Sequence, residues 1–195
     1  MTEAVRLEKV CKSFNGKSVL KDFCLQVSFG KVFCLSGPNG SGKTTVLNII
    51  AGRMKLDSGS VFVKGKPGYC HQEPRLFDDL TVRENLEVFS QLVNAGKEEA
   101  ERISGLAGLA EFDEKRVGEL STGMRKRVEL AVSMLGSPQV LLLDEPTTGL
   151  DKESVGHVIN VLKKLKGKKT LLIATHQLDD FRGVVDGKIE VKKKK

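Results

Sequence analysis

The rhythm of hydrophobic and polar positions changes several times along the chain, and each change marks an element. From Val5 to Phe14 and from Val19 to Phe29 apolar and polar residues alternate, the period of strands with one face on a core. Asn15-Gly16-Lys17 between them has the chemistry of a hairpin turn. Val32 to Ser36 is instead a short unbroken apolar run, the mark of a strand buried on both faces, and a helix-like stretch then runs from Thr45 to Gly52. Asp57-Ser58-Gly59 turns into a strand over Ser60 to Lys64, and Gly65-Lys66-Pro67-Gly68 turns again before Tyr69-Cys70-His71-Gln72. Strands of both kinds predict a mixture of antiparallel and parallel pairing.

At Thr81 the period becomes helical. Thr81-Val82-Arg83-Glu84 carries a capping-box pattern, and Val82, Leu86, Phe89 and Val93 recur on one face. Lys97 to Leu109 and the acidic piece after it also read as helical, so residues 81–118 form a helical insert between two sheet segments. A further helix begins at Ser121, with Met124, Val128, Ala131 and Leu135 on one face. Gln139 to Leu143 is a fully apolar, parallel-type strand that ends at Asp144-Glu145. Helix Lys152 to Leu165, strand Thr170 to Ala174, a short helix after His176 and a strand-like Lys188 to Val191 complete a βαβ alternation. The pattern predicts an α/β fold: a mostly parallel core sheet, N-terminal antiparallel strands and a small helical subdomain. Its single domain covers 1–195, with the core in 1–80 and 119–195 and the insert in 81–118.

Composition narrows the class. A chain of 195 residues suits one α/β domain with a small insert, and 39% hydrophobic with 29% charged residues is ordinary for a water-exposed globule. No apolar run approaches the ~20 residues that a membrane span needs, so any pathway through a membrane would be formed by other chains. The opening Met1-Thr2-Glu3-Ala4-Val5-Arg6-Leu7-Glu8 has early acids and no apolar core, so no signal peptide is read and a cytoplasmic location is expected. The net charge of +7 is carried by Lys192 to Lys195 and by a crowd at Lys163, Lys164, Lys166, Lys168 and Lys169. These read as a loose tail and a solvated face, and no nucleic-acid partner is expected. Cys11, Cys24, Cys34 and Cys70 show no C-x-x-C spacing and read as small buried hydrophobes.

Two stretches carry chemistry. Gly37-Pro38-Asn39-Gly40-Ser41-Gly42-Lys43-Thr44-Thr45 fits G-x-x-x-x-G-K-[ST], the P-loop, between a buried strand and a helix. Its glycines let successive backbone N–H groups turn into one concavity at a helix N-terminus, where phosphate oxygens bind. Lys43 adds a point charge toward the β- and γ-phosphates, and Thr44 offers a hydroxyl to Mg²⁺. The second stretch is Asp144-Glu145, two acids at the C-terminal end of a buried strand, where open α/β sheets bind ligands. Adjacent strand residues face opposite ways, so Asp144 would hold Mg²⁺ while Glu145 polarises an attacking water. Ser121 and Gly123 open a helix and offer a second anion site.

With these residues in view, the chain resembles the ATP-binding subunit of ABC transporters over its whole length. Phe14 stands where that family places an aromatic against adenine, and Gln72, in His71-Gln72-Glu73-Pro74, at the Q-loop glutamine. Leu120-Ser121-Thr122-Gly123-Met124 resembles the signature motif, Thr148-Gly149-Leu150-Asp151 the D-loop and His176 the switch histidine. The resemblance implies a P-loop NTPase fold, ATP and Mg²⁺ as ligands, and a head-to-tail pair of subunits with two ATP molecules between them. The pair would be a homodimer or a heterodimer with a paralogous ATPase, on the cytoplasmic face of the membrane against separate transmembrane permease subunits. It further implies Glu145 as general base, His176 on the γ-phosphate and Asp151 at the dimer interface. Gln72 would lie on Mg²⁺ and water, where it senses the membrane partner.

Several residues depart from the family pattern. Thr122 and Met124 replace the commonest signature residues, and Ser-x-Gly-Met followed by Arg125 resembles the exporter-type branches. Phe14 replaces the commoner Tyr, and the segment from His176 to Lys188 is several residues shorter than usual. His157, on a polar helix, reads as an ordinary satisfied residue, and His71 has no assigned role. The alternatives are an ABC ATPase of soluble machinery, such as iron–sulfur cluster assembly, a P-loop GTPase switch and a nucleic-acid-binding module. The GTPase lacks its N-K-x-D motif and a D-x-x-G after the second strand, and the last leaves the P-loop and Glu145 unexplained.

Overall fold

A computed structural model describes residues 2–192. Strands β1 (Glu3–Phe14) and β2 (Lys17–Ser28) form the antiparallel hairpin that the alternation predicts. Its turn is the two-residue Asn15-Gly16, with Phe14 opposite Lys17 and positive φ at both turn residues, 49° and 76°. Turns of this hand match the twist of the strands that they join. The chain then enters a second sheet at β3 (Val32–Ser36), passes through helix α1 (Lys43–Ile50) and returns with β4 (Ser58–Val63) to the free edge of β1.

The second sheet is wholly parallel. Strands β5 (Gly68–Cys70), β6 (Val140–Asp144), β7 (Thr170–Ala174) and β8 (Gly187–Glu190) join β3 in the order β5-β6-β7-β3-β8. Every residue of β6 and β7 is buried because the two sides of the strands serve two different cores. Leu142 and Leu172 pack with α1 and the antiparallel sheet. Leu141, Leu143, Leu171 and Ile173 pack with the helices on the other face. The short connection to β8 closes through a single 3₁₀ turn at Leu178–Phe181, with Phe181 fully buried.

Between β5 and β6 lie α2 (Val82–Leu92), α3 (Lys97–Ala107) and α4 (Thr122–Met134). Both arms of the capping box at Thr81 and Glu84 are made. The acidic piece after α3 is two 3₁₀ turns, Ala110–Phe112 and Val117–Glu119, rather than a helix. Helix α5 (Lys152–Leu165) is capped by Asp151 and ends with Lys163 and Lys164, charges that suit its C-terminal dipole.

Some boundaries and burials differ from expectation. The strand expected to reach Gln72 stops at Cys70, so His71 and Gln72 stand in irregular backbone. Of the four cysteines only Cys34 and Cys70 are buried, and burial pushes both thiols up to about 12. Cys11 is half-buried and Cys24 exposed, each next to a buried residue of the opposite face, Val10 and Leu25, where β1 and β2 shift register between Leu7 and Lys12. There Lys9 and Asp22 take positive φ, and their N–H groups donate to Cys24 Sγ and Cys11 Sγ. In the tail, Lys193 to Lys195 lie outside the described residues.

Candidate functional site

The loop between β3 and α1 is closed on itself. Gly37, Gly40 and Gly42 all have positive φ, which side-chain-bearing residues rarely adopt. At Gly37 a Cβ would lie 2.3 Å from Val191 O and 2.6 Å from Ser41 Oγ, so the loop admits nothing larger there. Ser41 Oγ is the one buried side-chain polar atom without a partner among the described residues, an orphaned group in the wall of the cradle. Lys43 is buried and folds back, donating to Gly37 O at 2.9 Å and Pro38 O at 3.4 Å.

Two carboxylates reach this loop, Asp144 from the last position of β6 and Glu145 from the residue after it. Asp144 Oδ1 accepts from Thr44 Oγ1 at 3.1 Å, and Oδ2 accepts from Tyr69 Oη at 3.3 Å. Burial pushes the Asp144 carboxyl above its usual range, and both hydroxyls pull it back. Thr44 and Asp144 together are hard oxygen donors beside a phosphate cradle, a set that fits Mg²⁺.

Glu145 leaves the strand in the left-handed region, at φ 47°. That strain turns its buried carboxylate into the cleft, where Oε2 accepts from Thr148 Oγ1 at 3.1 Å. His176 Nδ1 lies 3.0 Å from the same oxygen, to which it donates. Lys43 Nζ stands 4.0 Å from Oε1.

One cleft of about 620 Å³ gathers Phe14, Asn39, Gly40, Gly42, Lys43, Thr44, Thr45, Gln72, Glu145 and His176. Pro38 and Ser41 belong to the same loop without lining the cleft. Phe14, 42% exposed at the end of β1, stands at its rim with Lys12 Nζ 5.4 Å from the ring centroid. A second opening of about 600 Å³ shares Thr44 and Gln72 and reaches Asp144 and Tyr69. The structure adds three residues to the expected set: Val19 beside Phe14, Thr148 on Glu145 and Tyr69 on Asp144. A lone tyrosine in an apolar strand was the available signal for the last.

The remaining expected residues lie elsewhere. Ser121 and Asp151 line a separate hollow of about 370 Å³ with Ser154 and His157. Ser121 Oγ accepts from Met124 N and Asp151 accepts from Ser154 N, so both side chains cap their own helices. Gly123 is buried against α5, where a Cβ would meet Ser154 Oγ at 2.0 Å. The glycine is required by the helix–helix approach whatever else its backbone binds.

Known proteins are similar to this chain in sequence and in fold. The family model described as ABC transporter matches residues 20–148. ABC transporter G family member 20 of Dictyostelium discoideum is 37% identical, over 95% of this chain but 29% of its own length. The lantibiotic transport ATP-binding protein SrtF of Streptococcus pyogenes is 30% identical over 97% of this chain and 90% of its own. Among solved structures, a dimeric bacterial ABC transporter cassette, MJ0796, superposes with a TM-score of 0.86 at 27% identity, covering 97% and 94% of the two chains. The family model covers more than half of the chain, and these relatives and the solved cassette share its fold, so this chain belongs to the ABC transporter family as an ATP-binding protein.

Proposed function

We propose that the chain binds Mg–ATP in the 620 Å³ cleft and hydrolyses it in a head-to-tail dimer, driving transport by separate membrane subunits. The observation that carries this reading is Glu145: a buried carboxylate in a strained conformation, facing the phosphate cradle, with His176 and Thr148 fixing its orientation. Phe14 stacks the base, the backbone N–H groups of Gly37 to Thr45 receive the phosphates, and Lys43 exchanges its loop carbonyls for phosphate oxygens. Thr44, Asp144 and Gln72 hold Mg²⁺, which neutralises charge on the transferring phosphoryl group when bound. Glu145 takes a proton from the attacking water, and His176, held through Nδ1 on Glu145, turns its other ring edge toward the γ-phosphate.

The second hollow, lined by Ser121 and Asp151, with Gly123 close to Ser121 in the chain, serves the nucleotide of a partner subunit, because its own chain already has a cradle. Within one domain spanning 1–195, residues 81–118 act as a helical subdomain that meets the membrane subunits at the cytoplasmic face. Among the described residues no helix is long and apolar enough to cross a membrane. The Ser-x-Gly-Met signature followed by Arg125 supports export as the direction. Relatives that are named as transport proteins favour this reading over soluble machinery.

Two measurements test it. Glu145→Gln is expected to keep ATP affinity and lower hydrolysis by ~10²–10⁴, the worth of such a base. Normal turnover in that variant removes the base from Glu145. Tagged protein drawn from gently solubilised native membranes is expected to bring a polytopic membrane protein with it, and recovery of soluble partners alone contradicts the transport role.

A further inference from the structure

Helix α4 carries two buried ionisable side chains that the proposed chemistry does not use. Lys126 and Glu129 are 3% and 2% exposed and lie one turn apart, yet neither spends its charge on an ion pair with the other. Both are bound to the backbone of the segment that carries Gln72. Lys126 Nζ donates to His71 O and, at 2.7 Å, to Gln72 O. Glu129 Oε1 accepts from His71 N at 3.2 Å, and Oε2 accepts from Arg75 N at 3.0 Å. Burial pushes the Glu129 carboxyl up, which the two amides and Lys126 oppose. One residue before Lys126, Arg125 pairs with Asp78 at 2.6 Å, farther along the same segment.

Residues 71–75 belong to no strand or helix, so four bonds from α4 take the place of a ladder. A buried charge bonded to main-chain groups is orientationally demanding, since losing a bond leaves both sides unsatisfied. The same helix starts at Ser121, the cap that borders the second hollow. Gln72, exposed between its clamped neighbours, lines the first cleft with Lys43, Thr44 and Glu145.

We propose that Lys126 and Glu129 are positioning residues: they grip the main chain of His71 to Arg75, set where Gln72 stands in the nucleotide cleft, and so tie it to the helix that begins at the second hollow. A shift of α4 on engagement of Ser121 moves Gln72 with it. The effect on turnover rests on the ATPase reading above; the clamp itself does not.

The clamp is read by amide hydrogen exchange on the full chain. In the wild type the amides of His71 and Arg75 are expected to be protected. Glu129→Gln and Lys126→Gln, near-isosteric and checked for folding by thermal unfolding, are expected to speed exchange in 71–75 about tenfold or more while β6 and β7 stay protected. Unprotected amides in the wild type, or unchanged exchange in both variants, overturn the clamp. The coupling is read by a double-mutant cycle on ATP hydrolysis. Lys126→Gln is expected to lower kcat on the order of tenfold, with KM for ATP within about threefold, because a small misplacement of a positioning group acts on rate. In a Gln72→Ala background the same substitution is expected to cost little more. Equal losses in both backgrounds overturn the positioning role. A wild type that fails to hydrolyse ATP overturns the ATPase reading instead, and the exchange experiment still decides the clamp.

Discussion

Lys43 and His71 show how single side chains are committed by what surrounds them. Lys43 is buried with its ammonium on two loop carbonyls, so its charge is held at the cradle before a ligand arrives. Lys43→Ala is expected to weaken ATP binding by roughly 10- to 100-fold, the worth of charge-assisted bonds to phosphate. Fluorescent-nucleotide titration checks this, and unchanged affinity contradicts the cradle role. His71 is held neutral, its pKa lowered from 6.5 to about 4 by burial and then by Arg53, whose guanidinium stands 2.6 Å from Nε2. Between those values the unfolded chain binds a proton that the folded chain refuses, so stability is present above pH 6.5 and falls as pH drops toward about 4. Urea unfolding midpoints from pH 7 to 4.5 are expected to fall more in the wild type than in His71→Asn; parallel curves contradict this. The cradle was legible because G-x-x-x-x-G-K-T fixes its own backbone. The roles of Tyr69 and His71 were not, since each depends on residues far away in sequence, Asp144 for one and Arg53 for the other.

Elements were legible where local pattern and packing agree. Strands β6 and β7 read as unbroken apolar runs because opposite sides of each feed opposite cores. The capping box at Thr81 was legible because its two bonds are local, and Thr81→Ala is expected to cost about 0.5–2 kcal/mol in chemical denaturation. The bulges at Lys9 and Asp22 were not, because positive φ at residues other than glycine leaves no mark in composition. Cys24 faces solvent by alternation with buried Leu25 and Val27, and its Sγ accepts from Lys9 N at the bulge. Gly123 was read for its place in a helix N-terminus, whereas its contact with Ser154 belongs to the packing of α4 on α5. Gly123→Ala is expected to destabilise the fold by about 1–3 kcal/mol through overpacking, and Ser154→Gly to recover part of that loss. A fully tolerated alanine contradicts the close approach.

At the scale of the whole molecule, one chain presents two unlike halves of a nucleotide site on separate hollows. The cleft with Lys43 and Glu145 is built from the start of α1 and the loops that follow β3, β6 and β7, while the hollow with Ser121 and Asp151 is built from the starts of α4 and α5. Such halves complete each other only between two copies or relatives of the chain, head to tail. On the proposed function, ATP would bridge the subunits and hydrolysis at Glu145 would release them. The most direct measurement is the mass of purified Glu145→Gln in solution, by size-exclusion chromatography with light scattering, with Mg–ATP and with Mg–ADP. A dimer with ATP that reverts to monomer with ADP, and that Ser121→Arg abolishes without loss of ATP affinity, is the predicted result. A monomer under both nucleotides, while ATP is shown to be bound, contradicts a self-paired sandwich.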